Sequence, residues 1–182
     1  MSKAAESSPQ GKEQTVGIDD LAVYVPGLYL PLEGEFARSR GIDPGKLIKG
    51  IGIERMAVPD AHEDAATMAA MSLLLLMRRS GLEPERIGKI YVGTESSADE
   101  AKAMGTYVIG MLEQVYGEGS FRECGTVEMK AACIATTLAL ECQSYWLAAE
   151  DEDKVGVVIA SDVAKYPLAS PGEYTQGAGS VS

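Results

Sequence analysis

Basic residues and long apolar runs are scarce in this sequence, and each scarcity excludes a class of function. Sixteen Lys and Arg against 27 Asp and Glu give a formal net charge of −11. The resulting field repels phosphate, which argues against non-specific binding to nucleic acid or to an anionic membrane surface. The longest aliphatic run, Leu73–Met77, is far shorter than the roughly 20 residues that cross a bilayer. The sequence therefore predicts a soluble protein without a signal peptide or membrane span, and we expect it in the cytoplasm.

Cysteine and histidine are also scarce. Cys124, Cys133 and Cys142 include no CxxC pair, and an odd count without metal spacing is typical of reduced thiols in a cytosolic protein. His62 is the single histidine and lies among acidic residues, where we expect a solvated or capping role. A Cys–His mechanism therefore has no histidine partner in this sequence, and no metal is expected.

What the sequence does contain is an alternation of strands and helices. Residues 1–15 are small and polar and predict a disordered tail, so the folded part is expected over residues 16–182. Strands are predicted over Val16–Pro26 and at IGKIYVG, TVEMKAA and KVGVVIASD. Helices are predicted from an Asp60–Glu63 capping box to Gly81, from Lys102 to Gly117, and from Cys133 to Glu150. The first and last of these helices are apolar on nearly every face and should be buried. This order indicates an α/β fold, a sheet with helical layers.

The last residues, TQGAGSVS, predict a turn that leads into another apolar strand. A strand cut at its start would leave a sheet position unfilled. We therefore expect the sequence to be a fragment, a processed chain or one subunit of a split enzyme.

Cys133 is the first candidate for chemistry because it lies where a predicted strand turns into a predicted helix. The unpaired N–H groups and the positive dipole end of that helix favour a thiolate. The same groups would stabilise an oxyanion on an acyl carbonyl. Position alone leaves open a buried cysteine that acts as a small hydrophobic residue. Cys124, in a loop, and Cys142, in mid-helix, are interpreted as structural.

Glu95 is the second candidate. It follows the apolar strand IYVGT directly, and α/β sheets place their sites at the carboxyl ends of strands. A carboxylate held there can serve as general acid or base. The alternative is an exposed loop carboxylate or a helix cap.

A glycine-rich segment carries a small basic cluster. Lys46, Lys49 and Arg55 flank DPGKLIKGIG, which is predicted to be a loop. Glycine-rich backbone beside lysine can receive phosphate, although this segment matches neither a Walker loop nor GxGxxG.

Five segments carry a more specific signal because they occur together and in a fixed order. They are DPGKLIKGIG (43–52), VGTESSADEAKA (92–103), the AC pair (132–133), SDVAKY (161–166) and GEYTQGAGSV (172–181). In order and spacing they resemble bacterial 3-hydroxy-3-methylglutaryl-CoA synthases, which belong to the thiolase-like superfamily. The resemblance covers nearly the whole chain after Val16. It implies the N-terminal half of a thiolase-like fold, in which two similar halves pack as αβαβα layers.

The resemblance also implies an acyltransferase reaction. Cys133 would take acetyl from acetyl-CoA as a thioester, and Glu95 would remove a methyl proton from that acetyl group. The carbanion would attack acetoacetyl-CoA, and water would release HMG-CoA, as in the mevalonate pathway of isoprenoid biosynthesis. No metal or redox cofactor is implied. The implied substrate-binding residues are Thr175 at the acyl group, Tyr166 in the pocket wall, and Asp43, Pro44 and Lys46 in a loop on the CoA side.

Two departures from the family pattern leave alternatives open. Ile134 and Ala135 replace an aromatic residue and a glycine after the cysteine, which leaves the acyl specificity undetermined. The family's catalytic histidine lies in its second half, so we expect a second half-chain or subunit, a homo- or hetero-oligomer, and a large apolar surface on this half. The alternatives are a ketoacyl synthase III-like or β-branching condensing enzyme, and a non-catalytic acyl-CoA-binding or scaffold subunit.

Overall fold

Strands and helices alternate through most of the chain, which the computed structural model describes over residues 15–150 and 153–182. The strands are β1 (Val23–Tyr24), β2 (Leu28–Pro31), β3 (Arg55–Val58), β4 (Ile87–Gly93), β5 (Gly125–Met129), β6 (Val155–Ala164) and β7 (Gly177–Val181). The α-helices are α1 (Glu35–Arg40), α2 (Ala65–Ser80), α3 (Met104–Tyr116) and α4 (Ala135–Ala149). Shorter pieces are a π-helix (Lys46–Ile51) and two 3₁₀ helices (Pro84–Arg86 and Pro171–Thr175). The predicted tail, residues 1–15, lies outside the described residues except for Thr15.

The main sheet has the strand order β1-β7-β6-β4-β5. The central strand β4 runs parallel to β5 and β6, whereas β7 runs antiparallel to both β6 and β1. Parallel neighbours require crossover connections, and α3 and α4 supply them between β4, β5 and β6. The predicted α/β fold is confirmed.

Helix α2 begins later than predicted. Its N-cap is Asp64, whose side chain accepts the Thr67 N–H at 2.8 Å while the Thr67 hydroxyl accepts the Asp64 N–H at 2.7 Å. The predicted helix start at Asp60 is wrong. Asp60 and Glu63 instead close a separate turn before the helix, in which Glu63 Oε2 accepts the Asp60 N–H at 2.7 Å and the Glu63 N–H donates to Asp60 O at 3.0 Å. The predicted end is confirmed, since Gly81 is the left-handed C-cap.

The two faces of the main sheet carry different helices. Helices α2 and α3 cover one face, where Leu73, Ile90, Val108 and Ile159 belong to one buried apolar cluster. Helix α4 covers the other face, against β4 and β6. The prediction that α4 is buried is wrong. Its buried positions are Ala135, Ala139 and Gln143, whereas Leu138, Leu140 and Tyr145 are exposed, because only one side of the helix touches the sheet.

The first strand is shorter than predicted, whereas the last forms as predicted. Of the predicted strand Val16–Pro26, only β1 forms, because β7 offers ladder partners to Val23 and Tyr24 alone. The apolar strand predicted after the turn at TQGAGSVS is confirmed. Residues 177–181 form β7, which pairs with β6 on one side and β1 on the other, so the sheet position beside β6 is filled.

A small satellite unit lies between β1 and α2. The antiparallel β2–β3 pair, α1 and the π-helix enclose a second apolar cluster of Leu32, Phe36, Leu47 and Met56. The predicted glycine-rich loop is therefore wrong over Lys46–Ile51, because burial of Leu47 in this cluster pulls the segment into a helical turn. Over the described part of the chain, no helix combines the length and apolarity needed to cross a membrane.

Candidate active site

The neighbouring strands β4 and β6 bring the candidate residues to one edge of the sheet. They run parallel, with Gly93 paired to Ala160, so the segments that follow Gly93 and Ala160 leave the sheet side by side. Glu95 lies two residues after β4, as predicted, and is exposed at this edge. Asp162 lies opposite it, near the end of β6.

Cys133 reaches the same edge through a strained turn. Ala132 adopts a left-handed φ of 49°, a conformation that costs a residue with a Cβ about 1–2 kcal/mol. The turn is closed by the Ala135 N–H, which donates to Ala132 O at 3.0 Å. Cys133 therefore stands just before the start of α4, as the sequence predicted. The Ala135 N–H is occupied by this bond, so it is not one of the free donors expected for an oxyanion.

A glycine makes room for this arrangement. A Cβ at Gly93 would lie 2.6 Å from Thr136 N and 2.9 Å from Thr136 Cα. Because backbone atoms of α4 cannot move aside without moving the helix, only glycine permits the first turn of α4 to approach the end of β4 this closely.

Cys133 and Glu95 are in direct contact. The Cys133 Sγ–H donates to Glu95 Oε1 at 3.3 Å, and the thiol is exposed to the cleft. The hydrogen bond and the negative charge of Glu95 raise the pKa of the Cys133 thiol above its usual value. The adjacent carboxylate thus opposes the thiolate that the helix start was expected to favour.

Asp162 organises the backbone on which Glu95 stands. Its Oδ1 accepts the Glu95 N–H at 2.7 Å and the Ser96 Oγ–H at 3.0 Å, and the Thr94 Oγ lies 3.0 Å away. Thr94 Oγ1 also lies 2.7 Å from Ser161 O, and Ser96 Oγ accepts the Val163 N–H at 3.0 Å. These bonds clamp the segment after β4 to the end of β6.

The loop after Ser96 is held by two further carboxylates. Glu128 on β5 accepts the Met104 N–H at 2.6 Å, at the start of α3, and also bonds the Ser97 hydroxyl. Asp99 accepts the Ala101 N–H at 2.7 Å. The Glu95 loop is therefore fixed at both ends by buried or bonded acidic groups.

These residues border a cleft of about 760 Å³. Cys133, Glu95 and Tyr166, all predicted site residues, line it together. Other lining groups are Asp64, Gly93, Ser96, Ala135, Thr136, Asp162 and Lys165.

The other four predicted residues do not line this cleft. Thr175 is exposed and its hydroxyl donates to Gly172 O at 2.9 Å. Asp43, Pro44 and Lys46 lie before and in the π-helix of the satellite unit, where Asp43 Oδ1 accepts the Gly45 N–H at 3.0 Å. Their proposed substrate contacts stay predictions.

Sequence reasoning did not select Asp162, Thr94 or Ser96 as site residues. Asp162 lies within the quoted segment SDVAKY, and Thr94 and Ser96 flank Glu95 in VGTESS. These residues could have been found from the two apolar strands β4 and β6, because the polar residues at the carboxyl ends of neighbouring parallel strands meet at one edge of the sheet. That pairing requires the strand order, which the sequence did not provide.

The remaining cysteine and histidine predictions concern residues outside the cleft. Burial raises the pKa of the Cys124 thiol to about 11, which makes it a poor nucleophile. His62 is exposed in the turn before α2, with its Nδ1 3.9 Å from Asp60 Oδ2. Among the described residues, no group of three or more His, Cys, Asp or Glu side chains is arranged to hold a metal.

Comparison with known proteins places this geometry in a family context. Residues 12–182 match the family described as "Hydroxymethylglutaryl-coenzyme A synthase N terminal". The hydroxymethylglutaryl-CoA synthase of Haloferax volcanii is 44% identical over 169 residues, which is 92% of this chain and 38% of that protein. The chain thus spans about two fifths of the length of this relative.

Solved structures agree with the fold. A structure described as MvaS in complex with 3-hydroxy-3-methylglutaryl coenzyme A superposes with a TM-score of 0.81 at 37% identity, over 91% of this chain and 38% of that one. A hydroxymethylglutaryl synthase of the curacin biosynthetic pathway, in complex with holo donor-ACP, gives 0.78 at 27% identity, over 92% and 40%. The predicted resemblance and the predicted thiolase-like fold are confirmed.

Proposed function

Because this chain belongs to the hydroxymethylglutaryl-coenzyme A synthase N-terminal family, we propose that it carries the acyl-accepting half of an acetyl-condensing enzyme. The observation that supports this function is the 3.3 Å contact between Cys133 Sγ and Glu95 Oε1 in an open cleft. A thiol nucleophile and a carboxylate base that touch each other fit the formation and then the deprotonation of an acetyl thioester.

In the first step, the Cys133 sulfur attacks the carbonyl carbon of acetyl-CoA. The carbon–sulfur bond to CoA breaks, the acetyl group stays on Cys133, and the thiol proton leaves with CoA as its free thiol. The adjacent Glu95 raises the pKa of the Cys133 thiol, which lowers the fraction of reactive thiolate in the free protein.

In the second step, Glu95 removes a proton from the methyl group of acetyl-Cys133. A thioester acidifies this proton, and the hydrogen bonds from the Glu95 N–H and from Thr94 and Ser96 to Asp162 fix the backbone that carries the base. The carbanion attacks the ketone carbon of acetoacetyl-CoA. Water then cleaves the thioester, which returns the thiol to Cys133 and releases HMG-CoA. These steps require a thiol, a carboxylate and a proton donor, and no metal or redox cofactor.

The proton donor for the new alkoxide is proposed to come from a second half or subunit. His62, the single histidine of the sequence, does not line the cleft. Ile134, Leu138 and Tyr145 form an exposed apolar stripe on the outer side of α4, which such a partner would cover. The chain is therefore expected to associate, and light scattering that shows a monodisperse monomer would contradict this part of the proposal.

Intact mass spectrometry after incubation with acetyl-CoA tests the first step. We expect one acetyl group on the wild-type chain, hydroxylamine-sensitive as a thioester, and none on Cys133→Ala. Glu95→Gln should still accept acetyl, because this substitution removes the base of the second step and leaves the nucleophile in place. An unmodified wild-type chain with a reduced Cys133, alone and with its partner, would refute the proposed function.

Deuterium wash-out tests the second step. With trideuteroacetyl-CoA, the wild-type acetyl-enzyme should exchange its methyl deuterons with solvent, because Glu95 removes and returns them. The Glu95→Gln acetyl-enzyme should retain its deuterium. Equal exchange in both proteins would assign the base to another residue.

A further inference from the structure

An ion pair between a partly exposed arginine and a buried carboxylate joins the satellite unit to the wall of the cleft. Arg40, at the end of α1, donates from Nε to Glu173 Oε2 at 2.8 Å and from Nη2 to Glu173 Oε1 at 2.6 Å. Glu173 is 2% exposed and lies 133 residues further along the chain. Arg40 lowers the pKa of the Glu173 carboxyl, so the carboxylate remains charged although it is buried. A bidentate hydrogen bond of this kind fixes the relative orientation of the two side chains as well as the distance between them.

The carboxylate holds its own segment in a defined shape. Glu173 Oε2 also accepts the Ala169 N–H at 2.7 Å, and Ala169 has a left-handed φ of 59°. Apolar side chains of similar volume often stabilise a fold as well as a buried ion pair does, or better. Stability alone therefore does not account for this pair. The Glu173 carboxylate instead bonds both a remote arginine and the strained turn at Ala169. This pattern is typical of a side chain that fixes the backbone conformation of its own segment.

This turn supports the wall of the cleft. A Cβ at Gly172 would lie 2.9 Å from the Tyr166 ring, so the ring rests directly on the backbone beside Glu173. The Tyr166 N–H donates to Gln176 Oε1 at 2.7 Å. Tyr166 lines the cleft with Cys133. The position of Glu173 is thus transmitted to Tyr166 through one residue of backbone.

The other end of the pair adjoins the loop that was predicted to lie on the CoA side. Arg40 is followed by Gly41, in a left-handed C-cap, and then by residues 43–46. The Phe36 ring packs edge-on against Tyr174, with 6.2 Å between ring centroids, and the Arg40 guanidinium lies 5.4 Å from the Phe36 centroid. The ion pair is therefore surrounded by packed aromatic side chains, and we call this contact between α1 and the 169–174 segment the joint.

We propose that the Arg40–Glu173 pair positions residues 43–46, at the start of the π-helix, relative to Tyr166 in the cleft wall, and so sets the affinity for the coenzyme A end of the acyl donor. For its ligand this inference rests on the proposed function and on the predicted CoA-side position of residues 43–46, and for the contact between the two segments it rests on geometry alone. Arg40 and Glu173 are positioning residues, since neither lines the cleft that contains Cys133.

Hydrogen exchange measured by mass spectrometry tests the joint without any ligand. Arg40→Lys keeps the positive charge but cannot make the bidentate hydrogen bond, and Glu173→Gln keeps the side-chain shape but removes the negative charge. In both variants we expect amides of residues 41–53 and 166–176 to exchange roughly tenfold faster or more, while β4 and β6 keep their protection. Arg38→Lys, an exposed arginine of the same helix, is the matched control and should exchange like the wild type. Unchanged exchange in the two segments, or a loss of protection throughout the sheet, would overturn the proposal.

Acetylation of Cys133 by two donors tests the effect on affinity. Arg40→Lys should raise the half-saturating concentration of acetyl-CoA by roughly tenfold, because a displaced loop misaligns the donor. Acetylation by S-acetyl-N-acetylcysteamine, which lacks the nucleotide, should be weakened less, because this donor can sense the Tyr166 wall but does not extend to residues 43–46. An equal loss with both donors, or no loss with acetyl-CoA, would refute the affinity role. If the wild type accepts acetyl from neither donor, the proposed function fails, and the exchange experiment still decides whether the pair holds the joint.

Discussion

The two faces of the five-stranded sheet are constructed differently. Towards α2 and α3 the strands present large aliphatic side chains such as Ile90, Val92 and Ile159, all fully buried. Towards α4, Lys89 lies over the Trp146 ring, and the strands carry glycine at three positions, Gly88, Gly93 and Gly156, where a Cβ would overlap a side chain or the backbone of that helix. We call this side the glycine face. On the first face, large aliphatic side chains separate the strands from α2 and α3. On the second, the missing Cβ at glycine lets α4 approach the strand backbone directly.

The two faces therefore make different contributions, one to the stability of the fold and the other to the geometry of the site. The aliphatic face buries apolar area, which is the main source of folding free energy. The glycine face buries less, since α4 is largely exposed on its other side, but it fixes the start of α4 and hence the distance from Cys133 to Glu95. Cys133 and Glu95 lie at the edge of the sheet that the start of α4 approaches.

Leu73→Ala on α2 is expected to have the largest effect on stability. Leu73 is fully buried in the aliphatic face, and removing such a side chain costs about 2–5 kcal/mol through lost burial and a residual cavity. Leu75→Ala, at a 41% exposed position of the same helix, should change the free energy of unfolding by no more than about 0.5 kcal/mol. Denaturant titrations measure both. Equal losses would show that α2 is not packed as described.

Gly93→Ala on the glycine face should destabilise less but damage the site more. The added methyl overlaps backbone atoms of Thr136, and such overpacking costs about 1–3 kcal/mol. Because α4 must move, Cys133 should separate from Glu95, and acetylation should slow even under conditions where the protein is fully folded. The control is Gly110→Ala on α3, where a Cβ meets nothing within 4 Å. Normal acetylation by Gly93→Ala would contradict the geometric role of this face.

Ser96→Ala tests the clamp between β4 and β6. It removes the hydroxyl that bonds Asp162 Oδ1 and Val163 N, a loss of about 0.5–1.5 kcal/mol. Ser144→Ala, whose hydroxyl donates to Glu141 O within α4, is the matched control. If the clamp positions the base, Ser96→Ala also slows deuterium wash-out from the acetyl-enzyme, and Ser144→Ala does not. A stability loss without slower wash-out would limit Ser96 to a structural role.

Glu95→Gln should hardly change stability but should shift the titration of Cys133. Glu95 raises the pKa of the thiol, because its charge opposes the thiolate and its oxygen accepts the thiol proton. Removing that charge lowers the pKa, so more thiolate is present at a given pH below the pKa. Alkylation of Cys133 by iodoacetamide, followed peptide by peptide across pH, should therefore rise at lower pH than in the wild type.

The control for this titration is Glu100→Gln, which removes an exposed carboxylate from the same loop and should leave the Cys133 profile in place. The other titratable side chains that line the cleft are Asp64, Asp162, Lys165 and Tyr166, and they are common to all three proteins. A profile that stays in place for Glu95→Gln would show that the contact between Cys133 and Glu95 does not exist in solution.

Predictions from the sequence succeeded where local pattern and packing agree. The end of α2 at Gly81 and the span of α3 were predicted to within about two residues, because left-handed glycines and polar loops end helices locally. They failed where the outcome depends on remote partners. The buried side of the π-helix depends on a cluster with Phe36 and Met56, and the short β1 depends on where β7 offers partners.

By itself, the sequence determined the α/β class, the family and the two residues that meet at the site, Cys133 and Glu95. It did so because apolar periodicity, strand-end positions and ordered motifs are properties of neighbouring residues. Only the tertiary structure decided that Asp162 accepts the Glu95 N–H, that α4 is exposed on one side, and that Arg40 reaches Glu173. Each of these depends on which strands and helices become neighbours, a choice made by the packing of the whole chain.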